Sequence, residues 1–212
     1  MIKEILKKNY KSILCLDGDL PNYSFFKTLN LPIIAADGVA NYLINIDIEP
    51  DIIIGDLDGI DRDLLKGRKF IEIKDQNASD FEKSIDYIKD NNLFPSVILG
   101  INGGYIDHVL NNINIFSDID AVFYSDDIIG FVLKGKNKFN LPIGAKISIF
   151  GLPNCIISTT GLKWELKNAE LTFPGKASCS NRAVAQEVII NIIFGKALIF
   201  VYTKIIKDAG IL

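Results

Sequence analysis

The sequence predicts an α/β domain built on a parallel sheet, followed by a smaller antiparallel β-sandwich. Three features carry that expectation. Between Lys11 and Tyr124, short apolar runs alternate with stretches of helical spacing, the pattern of βαβ units. After about Leu133 the helical spacing stops and short β-rich pieces punctuated by Gly and Pro take over. Aspartates follow the ends of several of the early apolar runs, at the edge where open parallel sheets bind ligands.

In chain order, strands are expected at Ile13–Leu16, Ile33–Ala36, Ile52–Ile54, Phe70–Ile73, Val97–Leu99 and Ala121–Tyr124, in a Rossmann-like layout. Phe81, Ile85 and Ile88 recur at helical spacing, and so do Leu110, Ile113 and Phe116, so both segments should be amphipathic helices with one face on the sheet. Ser79 and Glu82 open the first of them as a capping box. The polar Lys134-Gly-Lys-Asn-Lys138 segment is expected to be flexible and to mark the boundary, giving domains at 1–133 and 134–212. Beyond it, β pieces are expected at Lys146–Phe150, Cys155–Ser158, Leu171–Phe173, Val188–Phe194 and Ala197–Tyr202, with Phe194-Gly-Lys-Ala197 as a tight hairpin.

The composition narrows the function classes. The chain has 212 residues, 49% of them hydrophobic and 23% charged, which is ordinary globular usage. A net charge of -3 without a dense basic stripe argues against nucleic acid or an anionic membrane as the main partner. Cys15, Cys155 and Cys179 are far apart and odd in number, so neither a zinc site nor a disulfide framework is indicated. Met1 to Tyr10 is charged throughout and does not read as a signal peptide, and Val188–Tyr202 is too short and too interrupted to span a bilayer. A cytoplasmic protein acting on a small molecule is the expectation.

Asp37, Asp56, Asp58, Asp80 and Asp107 all fall in loops or helix starts that follow expected strands. Carboxylates gathered on one edge repel one another unless a cation joins them, so a divalent metal is expected there. Asp56 and Asp58 alternate with Leu57, so in an extended chain both acids share one side and Leu57 points back into the protein. Taken singly, each acid also fits a plainer part: Gly55-Asp-Leu-Asp-Gly59 as a solvated turn, Asp37 as a helix cap, Asp80 as a first-turn acid facing the helix dipole. Lys83 shares a helix face with Asp80 and either reaches an anionic ligand or simply pairs with that acid. Gly103 and Gly104, between a strand and a helix, fit a phosphate-facing turn or an ordinary connection. His108, the only histidine, lacks a second His or Cys ligand nearby and reads as structural. Trp164, near small polar groups at Ser178, Ser180 and Asn181, suits a flat cationic heteroaromatic ligand or the packing of a β core.

Taken together, Asp17-Gly-Asp-Leu-Pro21, Ala36-Asp-Gly-Val-Ala-Asn41, Pro50 to Asp58, Asp75-Gln76, Ser79-Asp-Phe-Glu-Lys83 and Gly103-Gly-Tyr-Ile-Asp-His108 resemble the thiamin pyrophosphokinase family. Gly161-Leu-Lys-Trp164 and Ser178-Cys-Ser-Asn181 resemble that family's second-domain motifs. The resemblance implies a homodimer with its active site between subunits, transferring pyrophosphate from ATP to thiamin and releasing AMP, with Mg2+ as cofactor. It implies Asp56, Asp58 and Asp80 as metal ligands, Asp37 and Asp107 as further acids of the catalytic site, and Gln76, Lys83, Gly103 and Gly104 on the nucleotide side. Trp164, Ser178, Ser180 and Asn181 would receive thiamin. Tyr105 stands where the family usually has arginine, Gly59 where it has serine, and Asp17 where asparagine is common. A pyrophosphokinase for another small alcohol, such as a pterin, and a non-catalytic thiamin-binding module are the competing expectations. Asp56→Asn and Asp80→Asn are both expected to lower turnover with little loss of fold.

Overall fold

A computed structural model of the protein describes residues 9–202, which divide into two compact units, 9–125 and 126–202. The expectation that Met1 to Tyr10 carries no signal peptide falls almost wholly outside the described residues.

The first unit is a sheet of six strands: β1 (Ser12–Cys15), β2 (Ile33–Ala36), β3 (Ile52–Gly55), β4 (Phe70–Glu72), β5 (Ser96–Leu99) and β6 (Ala121–Tyr124). All of its pairings are parallel, in the order β6-β5-β1-β2-β3-β4, so the order turns back between β1 and β5. The six strands sit where the apolar runs placed them. β1, β3 and β5 are buried along their whole length, as central parallel strands covered on both faces must be. Two hydroxyls interrupt that apolar interior, and they satisfy each other: Ser12 and Ser96 lie 2.7 Å apart and both reach the Leu93 carbonyl. β4 is an edge strand, and Phe70 there is half exposed.

Four α-helices connect these strands: α1 (Tyr23–Leu29), α2 (Val39–Asn45), α3 (Asp80–Asp90) and α4 (Ile106–Phe116). α2 packs on β2, and α3 on β2 and β3. The capping box at the start of α3 forms as expected, with Ser79 and Glu82 each bonding the other's backbone amide. The buried side of α3 is Phe81, Ser84 and Ile88, with Lys83 buried beside them, while Ile85 is only half-buried. On α4, Phe116 is buried but Leu110 is half exposed, so only part of the expected apolar stripe meets the sheet.

The second unit is antiparallel throughout. Its strands are β7 (Ile128–Asn140), β8 (Lys146–Thr160), β9 (Ala169–Thr172), β10 (Ser178–Arg182) and β11 (Glu187–Tyr202), in the order β10-β8-β11-β7 with β9 on β8. Three expectations change here. The boundary lies at Ser125/Asp126, and Lys134–Lys138 is inside β7, where its backbone pairs with β11. A lysine-rich segment with little apolar content is still a good strand when its amides are taken up by a neighbour. Phe194–Ala197 is not a hairpin: β11 runs through it with a register shift at Gly195. The pieces at 146–150 and 155–158 are likewise one strand, β8. Local turn chemistry was read as chain reversal where the sheet uses it to bend long strands.

No helix among the described residues is long and apolar enough to cross a membrane.

Ile98, fully buried in β5 between β1 and β6, carries the centre of the first unit. Ile98→Ala is expected to destabilise the protein by about 2–5 kcal/mol through lost apolar transfer and the cavity left behind, measured as a drop in the urea midpoint.

Candidate functional site

The carboxyl ends of β2 and β3 lie side by side because these strands pair in parallel, Ala36 opposite Ile54. Asp37 leaves β2 with a left-handed backbone (φ 47°) and an amide that donates to the Ile54 carbonyl. Its side chain is turned inward and is 9% exposed. β3 delivers Gly55-Asp-Leu-Asp-Gly59, where Leu57 also adopts a left-handed backbone (φ 61°). That conformation is costly for a leucine, and its fully buried side chain is what holds it. The segment is therefore a turn and not the extended chain expected, although Leu57 does point inward. The Asp58 amide donates to Asp56 Oδ1 at 3.3 Å, the short-range bond typical of aspartate turns.

Carboxylate oxygens of Asp37, Asp56 and Asp58 lie within 4.8 Å of one another. Gly59 makes this possible. A Cβ there would stand 2.5 Å from Asp37 Oδ2, and the Gly59 amide instead donates to that oxygen at 3.2 Å. Serine, usual in the resembling family at this position, does not fit this backbone unshifted. The other oxygen, Asp37 Oδ1, is buried with no hydrogen-bond partner among the described residues. A buried carboxylate with one unpartnered oxygen, clustered with two further carboxylates, is a donor set suited to a hard divalent cation.

Burial raises the Asp37 pKa above the usual carboxylate value, and the negative charges of Asp80 and Asp56 push the same way, against the Gly38 and Gly59 amides. Asp56 moves in the opposite direction. The Gln76 amide, donating to Asp56 Oδ2 at 2.7 Å, lowers its pKa first, and the Asp58 amide adds to this.

Asp80, expected as a third metal ligand, is not in the close cluster; Asp37 takes that place. Asp80 instead accepts from Lys83 Nζ at 2.9 Å across the first turn of α3. Lys83 is 5% exposed, so Asp80 is the counter-ion of a buried ammonium. Both line a pocket of about 950 Å³ together with Asp37, Asp56 and Gln76. Its far wall comes from α4, through His108, Asn111 and Asn112. The sequence reading missed this wall. The signal was their spacing at i, i+3 and i+4, which puts an imidazole and two amides on one helix face. His108 was set aside because it lacked a metal-ligand partner, a criterion that says nothing about hydrogen bonding.

Asp107, Gly103 and Gly104 are not among the lining residues. Asp107 is exposed and accepts from the His108 amide at 3.0 Å, in the first turn of α4. Gly103 and Gly104 form a left-handed turn packed against Asp17-Gly-Asp19, whose Asp19 carboxylate accepts from Asn102 at 2.9 Å. Tyr105, in the place of the usual arginine, is 79% exposed.

In the second unit, Asn181 is buried and its amide is committed: Nδ2 donates to the Trp164 carbonyl (2.7 Å) and Oδ1 accepts from the Trp164 amide (3.1 Å). Asn181 also reaches Ser178 Oγ at 3.3 Å. It therefore holds Trp164 in place instead of presenting free polar atoms. The Trp164 indole is 55% exposed, with Lys163 Nζ 4.7 Å over its ring. Ser180 is exposed at the bulge of β10, where its backbone is left-handed and its amide donates to Ser148 Oγ.

Two outcomes follow from these environments. A carboxylate whose pKa is raised in the fold costs stability once it ionises, so the penalty of Asp37 is absent at low pH and complete above its raised pKa. Asp37→Asn is expected to raise the Tm of the metal-free protein at pH 7, with the gain shrinking as pH falls toward the unfolded-state value; a Tm at pH 7 equal to or below wild type contradicts this. Asp80→Asn leaves Lys83 buried without its counter-ion, so it is expected to lower stability by more than about 1 kcal/mol as well as activity, contrary to the expectation of little loss of fold. Urea unfolding of Asp80→Asn checks it.

Comparison with known proteins agrees over both units. The family description "Thiamin pyrophosphokinase, catalytic domain" matches residues 28–123, and "Thiamin pyrophosphokinase, vitamin B1 binding domain" matches residues 137–199. Thiamine pyrophosphokinase 2 of Arabidopsis thaliana is 33% identical over 163 residues, covering 66% of this chain and 61% of that protein. The chain thus spans less than two thirds of the length of this relative. Among solved structures, the thiamin pyrophosphokinase of Candida albicans superposes with a TM-score of 0.78 at 21% identity, covering 94% of this chain and 90% of the other. The yeast enzyme gives 0.78 at 19% identity over 95% and 89%. These structures share the fold, a mixed sheet with few helices. With its catalytic-domain and vitamin B1-binding segments both matched in order, the chain belongs to the thiamin pyrophosphokinase family.

Proposed function

We propose that this protein transfers the pyrophosphoryl group of ATP to the hydroxyl oxygen of thiamin, giving thiamin diphosphate and AMP. The observation that carries the reading is the cluster of Asp37, Asp56 and Asp58, with its orphaned Asp37 oxygen, inside the segment matched by the catalytic-domain family. Asp37, Asp56 and Asp58 would hold the divalent cation, for which Mg2+ is the proposal. Held there, a divalent cation would offset part of the negative charge of the three carboxylates and of the transferring group.

The chain's own residues do the rest. Gln76 holds the Asp56 carboxylate by its amide and keeps it ionised. Lys83 supplies an ammonium at the pocket wall, and Asp80 holds it in place through the 2.9 Å ion pair. In the absence of the usual arginine at Tyr105, Lys83 is the cation closest to hand for the nucleotide phosphates; Arg182 is engaged with the Gly144 carbonyl. Asp107, Gly103 and Gly104 are not among the residues lining this pocket; Asp107 stays in the proposal as a further acid of the catalytic site and the two glycines as part of the nucleotide side. The exposed Trp164 indole offers a face for a positively charged heteroaromatic ring, with Ser178 and Ser180 beside Asn181, which fixes it. A Rossmann-like unit and a β-sandwich unit, working as a cytoplasmic homodimer with its active site between subunits, complete the proposal.

Phosphorus NMR of the protein with ATP, Mg2+ and thiamin tests it. AMP and thiamin diphosphate are expected; ADP with thiamin monophosphate, no turnover, or thiamin refused while a pterin alcohol yields AMP would each overturn it. Asp56→Asn is expected to lower kcat/KM by at least about 100-fold while the Tm changes little, because the solvent-screened bonds Asp56 accepts from Gln76 and the Asp58 amide are offset by its repulsion from the neighbouring acids.

A further inference from the structure

We propose that Asn41 is a positioning residue for the cation site, fixing the Asp56–Asp58 turn against Asp37 from the neighbouring helix. The inference rests on the metal-dependent reading above and goes beyond it. Asn41 lies on α2, which starts two residues after Asp37, and its side chain crosses to the turn that follows β3. Its Nδ2 donates to the Gly59 carbonyl at 2.8 Å, and its Oδ1 accepts from the Asp61 amide at 3.1 Å. The Gly59 amide meanwhile donates to Asp37 Oδ2 at 3.2 Å. Both polar groups of Gly59 are therefore held by the segment 37–41, one by the acid itself and the other by Asn41.

The turn has reason to need such a hold. Leu57 carries an unfavourable left-handed backbone, and three carboxylates that repel one another sit within 4.8 Å. Without the amide, the Gly59 carbonyl and Asp61 amide turn to water, and the turn is free to relax outward, separating Asp56 and Asp58 from Asp37. Asn41 lines the same pocket, and its side-chain hydrogen bonds among the described residues go to the backbone of Gly59 and Asp61 and not to Asp56 or Asp58, so its hold on the cation site is transmitted through backbone position. Such outer residues commonly set metal affinity by about ten- to a hundredfold.

The discriminating experiment titrates Mn2+ alone into wild type, Asn41→Leu and Asp56→Asn, read by the EPR signal of free Mn2+, with Tm recorded with and without the ion. Asn41→Leu keeps a helix-forming side chain of similar volume and removes both amide functions. The result expected is an Mn2+ dissociation constant raised about tenfold or more in Asn41→Leu, and a smaller Tm gain from Mn2+ than wild type shows. Steady-state kinetics follow suit: the apparent KM for Mg2+ rises while kcat at saturating Mg2+ stays within about twofold of wild type. Asn41→Ser, whose hydroxyl replaces one of the two bonds, is expected to fall between and serves if the leucine variant does not fold. Wild-type Mn2+ affinity in a folded Asn41 variant, with Asp56→Asn clearly weakened, overturns the positioning role alone. Wild type and Asp56→Asn binding Mn2+ equally poorly overturns the cation site itself.

Discussion

Mutual repulsion among carboxylates governs the chemistry of this sheet edge. Asp37, Asp56 and Asp58 have oxygens within 4.8 Å of one another, and Asp80 is near enough to raise the Asp37 pKa further. Such an arrangement does not form by the preference of the acids. It is imposed by the backbone: parallel pairing of β2 with β3 sets the two loops side by side, Leu57 accepts a strained turn in exchange for a buried side chain, and Gly59 yields the room that any side chain would take. The stability of the apolar sheet offsets the cost, which is why the strands around the site are buried so completely.

The four acids meet the constraint in different ways, and the difference sorts their roles. Asp80 is neutralised from within by the buried Lys83. Asp56 is kept ionised by the Gln76 amide. Asp58 is exposed and screened by water, whereas Asp37 is buried and keeps one oxygen without a hydrogen-bond partner among the described residues. The unmet demand is thus concentrated on Asp37, within a cluster of two further acids. A cation arriving there satisfies Asp37 and relieves the repulsion together, so binding is coupled to the stability of the fold.

Much of this was legible in the sequence, and the gaps have physical causes. β1, β3 and β5 were readable because fully buried strands are near-continuous apolar runs, and the exposed edge strand β4 was readable from its short Phe-Ile run alone. The capping box was readable because it is local, with both partners three residues apart. β7 was not, since Lys134–Lys138 owes its strand conformation to pairing with β11 and not to its own composition. The same holds for the site. Sequence spacing placed Asp56 and Asp58 together, but that Asp37 is the third acid of the close cluster while Asp80 pairs with a buried lysine depends on the pairing of β2 with β3 and on burial, which spacing does not show. Asn41 and His108 stood at the ends of recognisable motifs without a part assigned to them, and Asn111 and Asn112 carry no motif, so only the helix face they share with His108 reveals them. Asn181, chosen as a ligand contact, is tied to the Trp164 backbone by a distance of 17 positions that spacing alone does not bridge.

The central claim is that Asp37, Asp56 and Asp58 form one cation site. Anomalous diffraction from crystals grown with Mn2+ and a nonhydrolysable ATP analogue addresses it most directly. An anomalous peak within coordination distance of oxygens from all three aspartates, including Asp37 Oδ1, is expected. A peak bound by Asp80 with Asp37 left out, or no peak at this edge while the nucleotide is bound, would contradict it.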